Sequence, residues 1–410
     1  MTHNIVASNS SGDGGGMCID SGIASDNTFI GNSSSGPGGG IKANNSTISN
    51  NVVQNNNAVD GGGIYSANSN LISNMISGNN ASGKGGGIYA NENTKASENK
   101  ISDNTAAEGG GIYAYGYAAG INLSANTIQE NAANAGGGIY AVEATLRGNT
   151  VISNTAQNDG GGIYADSGTV TDNTVSGNTV PSFGHGSGVY LKNVTDFSNN
   201  IVTENTAPSG TAGGVSIDGQ PQVLYNNLYD NQPYDAEIVS TMVVTATLNY
   251  WGQSLCTDIP DQIYDGNDAP PRGKLLYAPS LYSPAPVVQM TVPANLILTT
   301  DANAVTLNWT PVPTIPDIGC RVPGANVPDL GYRVYYDNDG CAPFDGKGLL
   351  QGSSPVDVGT SHTITLNGLS SKGYFFTVTA YDYLTRESSY SNSVHRSSTT
   401  EGLYLPFVVR

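Results

Sequence analysis

Four acidic side chains at equivalent positions of a repeated motif are the first residues in this chain that could do chemistry. They directly precede the second asparagine of a motif that reads Asn, any residue, an apolar residue, any two residues and Asn: Asp103, Glu130, Glu204 and Asp230. If neighbouring motifs stack, these acids form two pairs on adjacent rungs. Two carboxylates across one cleft can hydrolyse a glycosidic bond, at about 5 Å for retention or roughly 6.5–9.5 Å for inversion. Such a pair could instead recruit a cation such as calcium, or the acids are simply solvated.

Six tyrosines form a second set of candidates. Each ends a segment that reads Gly-Gly-Gly-Ile-Tyr or a close variant: Tyr65, Tyr89, Tyr113, Tyr140, Tyr164 and Tyr190. One tyrosine per rung gives a tyrosine stripe roughly 24 Å long, at ~4.8 Å per step. Because sugar rings stack on aromatic faces and exposed aromatic surface usually marks an interaction site, the stripe is a candidate binding face for a neutral polysaccharide or another cell surface. The alternative is a self-stacking ladder that only stiffens the sheet.

Both sets of residues depend on a repeat of about 24 residues that runs through the first two-thirds of the chain. Ten copies of the asparagine motif run in phase with the glycine motif, the third being read at Asn50–Asn55. Fixed periods of roughly 20–50 residues indicate a solenoid. The units are rich in Gly, Asn, Thr and β-branched residues, which favours strands over helices. One coil of a parallel β-helix, with three short strands and three turns, accounts for such a unit.

Alternation along the strands assigns side chains to the two faces of each sheet. The residue after the third glycine is apolar, as in Ile64 and Ile88, and is predicted to be interior together with the residue two positions later. The tyrosine between them is predicted to point outward. The asparagines at both ends of the third strand are predicted to stack at the turns and to hydrogen-bond along the stack. We therefore interpret the asparagines as structural residues.

These motifs resemble the right-handed parallel β-helices of the pectate-lyase-like superfamily, and most closely the Gly-Gly-Ala-Ile and Phe-x-x-Asn repeats of polymorphic outer-membrane proteins. Gly-Gly-Gly-Ile and Ile/Val-x-x-Asn stand in their place over residues 1–282. The resemblance implies an all-β fold, a right-handed single-stranded parallel β-helix of about ten coils. For function it implies lyases, hydrolases, adhesins and inert stalks alike.

His185 is a further catalytic candidate, because Gly184-His185-Gly186 resembles the Gly-His-Gly triplet of polygalacturonases. The paired aspartates and the Arg-Ile-Lys triplet of that family are absent, and the histidine is expected in a glycine turn away from acids. We therefore interpret it as a variant turn residue. Coil spacing also argues against catalysis, since it varies only between 23 and 27 residues and includes no long loops that could wall a groove.

After Tyr277 the composition changes, and a second module is predicted. The expected organisation is a β-helix with its terminal coil at residues 1–277, a proline-rich linker at 278–286, a fibronectin type III-like β-sandwich at 287–397 and a tail at 398–410. The sandwich resemblance rests on alternating strands, on Trp309 and on Leu369–Tyr374, which fits a tyrosine corner whose hydroxyl bonds back to the main chain. The tail is either one more strand or a sorting signal.

Charge and composition disfavour several classes of partner. The net charge is −18, and residues 1–260 contain only six Lys and Arg side chains, which disfavours nucleic acid and other polyanions. No run of 18 apolar residues exists, so no membrane span is predicted. The chain opens inside a coil, and a bare end coil would invite aggregation. We therefore expect a fragment of a longer secreted protein, with a signal peptide upstream.

The four cysteines support an oxidising location only weakly. Cys320 and Cys341 bracket a predicted strand and are predicted to form a disulfide, which would close a loop of about 20 residues and contribute roughly 3 kcal/mol. Cys18 and Cys256 lie near opposite ends of the predicted β-helix and are not expected to pair. No metal site is predicted, because there is no Cys-x-x-Cys motif and the four histidines are scattered.

The sequence thus predicts an extracellular surface protein for adhesion or glycan binding, with the tyrosine stripe as the binding face. The expected partner is a polysaccharide or a cell-surface glycan or protein, and the chain is expected to be a monomer in isolation. No cofactor is expected, although an acid pair could hold calcium. Two alternatives stay open: a polysaccharide lyase or glycoside hydrolase of the pectate-lyase-like superfamily, and a purely structural stalk.

Overall fold

The chain folds into two compact units. One comprises Met1–Val287 and Asp317–Pro323, and the other comprises Val288–Pro316 and Gly324–Arg410. The computed structural model describes residues 1–116, 120–182, 184–253, 255–281, 284, 292–301, 304–312, 318–320 (backbone only), 330–338, 344–370, 372–381 and 387–397. The predicted tail at 398–410 and much of the predicted linker lie outside these described residues.

The first unit is a right-handed parallel β-solenoid, so the predicted all-β β-helix is confirmed. Each coil gives one strand to a ten-stranded sheet, which consists of Ile5–Ala7, Thr28–Ile30, Val52–Gln54, Met75–Ser77, Lys100–Ser102, Thr127–Gln129, Thr150–Ile152, Thr174–Ser176, Ile201–Thr203 and Asn227–Tyr229. Equivalent residues pair in register on neighbouring coils, as Met75 does with Lys100.

The other strands of the coils form an eighteen-stranded sheet, because two long strands run through the corner between its halves. The tyrosine-bearing half consists of Met17–Asp20, Ile41–Asn44, Ile64–Ala67, Ile88–Asn91, Ile112–Tyr115, Ile139–Arg147, Ile163–Thr171, Val189–Lys192, Val215–Asp218, Ala236–Ile238 and Ile263–Tyr264. The other half adds Ile23–Ser25, Thr47–Ser49, Asn70–Ile72, Lys95–Ser97, Ile121–Ser124, Asp196–Ser198 and Gln222–Leu224.

Short strand pairs complete the solenoid. They are Ser10–Ser11, Ser33–Ser34, Asn57–Ala58 and Asn80–Ala81 in one sheet, and three two-stranded sheets, Ala132–Ala133 with Thr155–Ala156, Val244–Thr245 with Leu275–Leu276, and Ser280–Leu281 with Ile318–Cys320. A single 3-10 turn, Pro260–Gln262, is the one helical element among the described residues. The regular secondary structure of the described coils is therefore almost entirely β-strand.

The interior of the solenoid is a continuous aliphatic core. Ile64, Ile88 and Ile112 are fully buried and stack in register, as predicted. Each such side chain contributes about 1.5–3 kcal/mol by leaving water. The glycines before them allow the coils to approach: a Cβ on Gly86 would lie 2.5 Å from the carbonyl oxygen of Gly110, and Gly85 has a φ of +66°. The glycine triplet is therefore a steric requirement of the turn.

Two asparagine ladders run along the turns beside the ten-stranded sheet. The first comprises Asn4, Asn27, Asn51, Asn74, Asn99, Asn126, Asn149, Asn173, Asn200, Asn226 and Asn249, and the second comprises Asn9, Asn32, Asn56, Asn79, Asn104, Asn131, Asn154, Asn178, Asn205 and Asn231. From the second member of each ladder onward, Oδ1 accepts from both the backbone N–H and the side-chain amide of the preceding ladder asparagine, as Asn131 does from Asn104. The predicted stack is confirmed.

The third copy of the motif shifts by one residue from its predicted register. Asn51 and Asn56, rather than Asn50 and Asn55, enter the ladders. Asn50 and Asn55 instead take φ values of +55° and +54°. Each ladder asparagine follows a residue in this left-handed conformation, which Asn tolerates well, so either register satisfies the sequence pattern but only one satisfies the turn.

The second unit contains two antiparallel sheets, as predicted for a β-sandwich. One consists of Ala294–Asp301, Ala304–Thr310 and Thr363–Asn367, and the other consists of Val356–Gly359, Gly331–Asp337, Tyr374–Tyr381 and Val394–Arg396. Their core includes Trp309 and Phe376. The Tyr374 hydroxyl accepts a hydrogen bond from the backbone N–H of Ser370 at 3.3 Å, which is the main-chain contact expected of a tyrosine corner.

The cysteines depart from the predicted pairing. Cys256 is disulfide-bonded, whereas Cys18 is free and exposed. The Cys341 residue and the Cys320 side chain lie outside the described residues. Because the chain has four cysteines and Cys18 is free, a Cys320–Cys341 bond would leave Cys256 without a partner. The predicted Cys320–Cys341 disulfide is therefore incompatible with the bond at Cys256, which sequence order alone did not reveal.

The ladders lead to a prediction about stability. Asn131 accepts from both amides of Asn104 and donates to the buried carbonyl of Ile101. We expect Asn131→Ala to lower the free energy of unfolding by roughly 2–4 kcal/mol, because these groups stay buried without partners. Urea unfolding measures the loss, and Asn57→Ala, at an exposed strand position, is the matched control. Equal small effects of both substitutions would contradict a structural role for the ladder.

Candidate functional site

The tyrosine stripe is a continuous stack of rings. Successive ring centroids from Tyr65 to Tyr190 lie 4.8, 5.1, 5.2, 4.4 and 5.1 Å apart, with interplanar angles between 6° and 29°. In-register pairing of the strands places each tyrosine beside the next, as Tyr89 lies beside Tyr113. Stacked aromatic pairs of this geometry contribute about 0.5–1.5 kcal/mol each beyond their burial. The self-stacking ladder is therefore present in the fold.

The stack limits how a ligand could use the stripe. Tyr113 and Tyr190 are buried and the other four rings are half-buried, because each ring covers the face of its neighbour. Ring edges and hydroxyls, rather than ring faces, are turned to the solvent. A sugar cannot stack face to face along the stripe, and the predicted binding role can operate only through hydroxyls and edges.

Several phenol hydroxyls are already engaged within the protein. Lys84 Nζ donates to the Tyr113 hydroxyl at 2.9 Å and lies 3.4 Å from Glu108, and the Tyr190 hydroxyl donates to Asp218 at 3.3 Å. Burial in the stack raises the pKa of Tyr89 to about 12. Burial also raises the pKa of Tyr140. The hydroxyls of Tyr89 and Tyr140 are thus neutral hydrogen-bonding groups well beyond physiological pH.

The strand position that carries the stripe tyrosines is occupied on the following coils by polar residues, which form a cluster. Tyr190 pairs with Ser216, Ser216 with Glu237 and Glu237 with Tyr264 on successive strands. Glu237 is fully buried, and its Oε1 lies 2.9 Å from His185 Nδ1 and accepts from the Ser216 hydroxyl. Its Oε2 accepts from Arg272 Nη1 at 3.1 Å. This cluster joins the His185 turn to the last coils of the solenoid.

The charges of the cluster stabilise one another. Burial opposes ionisation of Glu237, yet hydrogen bonds from His185 and Ser216 lower its pKa overall. The hydrogen bond to Glu237 raises the pKa of His185 in spite of desolvation. A buried carboxylate held in this way is ionised and fixes the orientation of the imidazole. Ser216 donates to the carboxylate and not to the histidine, so the cluster is not arranged as an activated serine nucleophile.

His185 therefore has surroundings that the sequence did not indicate. It was expected away from acids, but it contacts Glu237, and its backbone N–H donates to Asp159 at 2.8 Å. Glu237, Ser216 and Arg272 were missed because they lie far from His185 in sequence, up to 87 residues away at Arg272 (272 − 185), and at other positions of the fold. A serine and then a glutamate in the tyrosine column was the one signal that could have located them.

The four candidate acids lie in turns, at equivalent positions of four coils. Asp103, Glu130, Glu204 and Asp230 are exposed, and none of their side chains makes a hydrogen bond or ion pair with another described residue. Their φ values lie between +56° and +59°. The equivalent turn position is glycine, asparagine or serine in the other coils, as at Gly78, Asn55 and Ser153. A left-handed backbone is thus the conformation that these positions share, and a catalytic role for the four acids stays a prediction.

Metal ligands are not brought together in the described part of the chain. No group of three or more His, Cys, Asp or Glu side chains there has the arrangement to hold an ion. None of the helices within those residues has the length and apolarity to span a membrane.

Comparison with known proteins supports the solenoid. A family model described as a right-handed β-helix region matches residues 76–250, which confirms the predicted resemblance over that segment. Such repeats occur in surface proteins and in pectate-lyase-like enzymes, so the match does not choose between these functions. No curated protein matches the chain.

A solved structure is similar to part of the chain. It is a fibronectin type III domain from a human protein, 23% identical, and the match covers 29% of this chain and 82% of that domain with a TM-score of 0.19. The two antiparallel sheets of the second unit are defined by their own strand pairing.

The left-handed turns generate a prediction about the candidate acids. Glu130 has a φ of +56°, a conformation that costs a non-glycine residue roughly 1 kcal/mol. We expect Glu130→Gly to raise the free energy of unfolding by roughly 0.5–1 kcal/mol, measured by urea unfolding. Glu130→Ala removes the same carboxylate but keeps the Cβ, and should give no such gain. Equal stabilisation by both variants would instead indicate charge repulsion at this position.

The tyrosine stripe generates a prediction about alkaline pH. Free tyrosine ionises near ~10, but the pKa of Tyr89 is raised to about 12 in the fold. A raised pKa stabilises the folded state below the unfolded value, and this contribution is lost as the pH rises through the folded value. We expect spectrophotometric titration to show a late group of tyrosines, with stability falling between pH ~10 and ~12. The Tyr89→Phe variant should remove one late tyrosine; a single transition near ~10 would contradict the assignment.

Proposed function

We propose that this protein is an extracellular recognition protein that binds a polysaccharide or a cell-surface glycan along the tyrosine stripe. The observation that supports this function is the single row of six tyrosine side chains, one on each of six successive coils. A periodic row of hydroxyls and ring edges suits a ligand that is itself periodic. Glycan chains repeat hydroxyl groups at regular intervals, so contacts on one rung can recur on the next.

The stripe offers preorganised contacts. Each ring is held by its neighbours, and Tyr65 and Tyr89 have hydroxyls with no hydrogen bond to another described residue. On the strands that carry Tyr164 and Tyr190, Lys192 and Asp166 form an ion pair at 3.0 Å that adds a donor and an acceptor at the edge of the stripe. Little side-chain entropy is lost when a ligand binds to groups already fixed in place. The net charge of −18 favours neutral over anionic glycans.

An extracellular location is part of the same proposal. The disulfide at Cys256 supports it, because disulfides persist in oxidising compartments and are rare in the cytosol. Neutral surface glycans are also encountered outside the cell. A purely structural stalk is the alternative that the internal stacking of the tyrosines favours.

A glycan array tests the proposed function. The full chain is screened beside Tyr89→Phe/Tyr140→Phe, which keeps the stack but removes two hydroxyls, and beside Tyr89→Ser/Tyr113→Ser/Tyr140→Ser, which breaks the stack. We expect binding of at least one neutral glycan by the unaltered chain and a loss of tenfold or more in both variants, with circular dichroism confirming that they stay folded.

The other outcomes separate the remaining functions. Absence of binding to any glycan by the unaltered chain would favour the stalk. Undiminished binding by both variants would exclude the stripe as the binding face. Release of reducing ends from a bound glycan would favour a lyase or hydrolase and direct attention to His185 beside Glu237.

A further inference from the structure

The ten-stranded sheet carries a depression that belongs to none of the sites described above. Its volume is about 180 Å³, and it spans three neighbouring strands. The outward side chains that line it, here called the Lys100 groove, are Met75, Ser77, Lys100, Ser102, Thr127 and Gln129. The groove exists because the long side chains of Met75, Lys100 and Gln129 surround the short ones of the two serines. Ile76 and Ile101, buried between these positions, form its floor.

The polar side chains of the groove have no partners within the described part of the chain. Ser77, Lys100, Ser102, Thr127 and Gln129 make no side-chain hydrogen bond or ion pair to another described residue. The nearby ladder asparagines, by contrast, are fully engaged, and Tyr113, Tyr190 and Glu237 use their polar atoms internally. Donors and acceptors that converge on one depression without internal partners are available to a ligand.

The groove also offers an apolar contact. Met75, the first residue of its strand, is 51% exposed. A methionine side chain is flexible and polarisable, so it can pack against the C–H face of a ring of varied shape. An apolar contact surrounded by a few polar groups is the usual composition of a small-ligand site. The volume is smaller than that of drug-sized pockets, which favours a single ring as the occupant.

Charge narrows the class of ligand. Lys100 is the one charged side chain among the outward positions of the ten-stranded sheet, two on each strand. Carboxylates lie instead in the turns that flank the groove, at Glu98, Asp103 and Glu130. These acids repel polyanions and can accept hydrogen bonds from hydroxyl groups. A second copy of the chain, also at −18, is disfavoured as the occupant by the same repulsion.

We propose that the Lys100 groove binds one sugar ring of a neutral polysaccharide. Met75 packs against the ring, Ser102, Thr127 and Gln129 exchange hydrogen bonds with its hydroxyls, and Lys100 donates to a ring or glycosidic oxygen. The rest of the glycan lies over the neutral outward residues of adjacent strands. This site is on a different sheet from the tyrosine stripe and does not depend on the proposed function of the stripe.

Isothermal titration calorimetry of the full chain tests the proposal. The probes are the hexasaccharides of β-linked glucose, xylose and mannose, with hexagalacturonate as the anionic comparison. We expect at least one neutral hexasaccharide to bind and hexagalacturonate not to bind. Ser102→Tyr fills the groove and should weaken binding at least tenfold, and Thr127→Val, which removes one hydroxyl, should weaken it about fivefold.

Matched controls lie on the same sheet outside the groove. Ser176 and Thr174 occupy the positions equivalent to Ser102 and Thr127 on a strand farther along the solenoid. Ser176→Tyr and Thr174→Val should leave the affinity unchanged. The proposal is overturned if no neutral probe binds, if only hexagalacturonate binds, or if the control variants lose as much affinity as the groove variants. It is also overturned if Tyr89→Phe/Tyr140→Phe abolishes binding while Ser102→Tyr does not, since the stripe would then be the site.

Discussion

The hydrogen bonds between stacked asparagines are the interaction on which the rest of the structure depends. Each Oδ1 accepts two donors from the coil before it, so an asparagine satisfies its neighbour's turn as well as its own. Two ladders bracket the third strand of every regular coil and fix both its length and its register. They also require a left-handed residue immediately before each asparagine, a conformation that favours Gly, Asn and Asp but that residues such as Glu130 adopt there too. The local sequence of the turns is thus set by a contact between coils.

A fixed register means that each surface of the solenoid is a set of columns. Residues at one repeat position contact the same position on the next coil, which turns six separate tyrosines into one stack. The columns differ in how many polar atoms they leave available to a ligand. The tyrosine column and the Glu237 cluster satisfy most of their own polar atoms and add rigidity. The column through Lys100 and Thr127 has polar side chains without partners among the described residues, whereas the tyrosine stripe leaves only its ring edges and some of its hydroxyls available.

Sequence periodicity was sufficient to predict the solenoid, its buried isoleucines, its outward tyrosines and its asparagine stacks, because each of these follows from contacts between equivalent positions. It was insufficient where contacts join unlike positions. His185 and Glu237 are 52 residues apart and belong to a turn and a strand, so no repeat relates them. The bond at Cys256 and the choice of Asn51 over Asn50 depend likewise on geometry that a pattern of residue types does not contain. The Lys100 groove depends on differences in side-chain length across three strands, which a binary apolar–polar pattern ignores.

A rigid column also determines how binding energy can accumulate on such a surface. The backbone spacing of ~4.8 Å between coils is set by hydrogen bonding and cannot adapt to a ligand. A short or irregular ligand can therefore use one rung or one depression, while a long periodic ligand can repeat a weak contact over several rungs with little further loss of entropy. Affinity on this solenoid should then depend on the length and regularity of the ligand more than on any single side chain. A neutral, extended polymer meets that requirement on a protein whose carboxylates are concentrated at its turns.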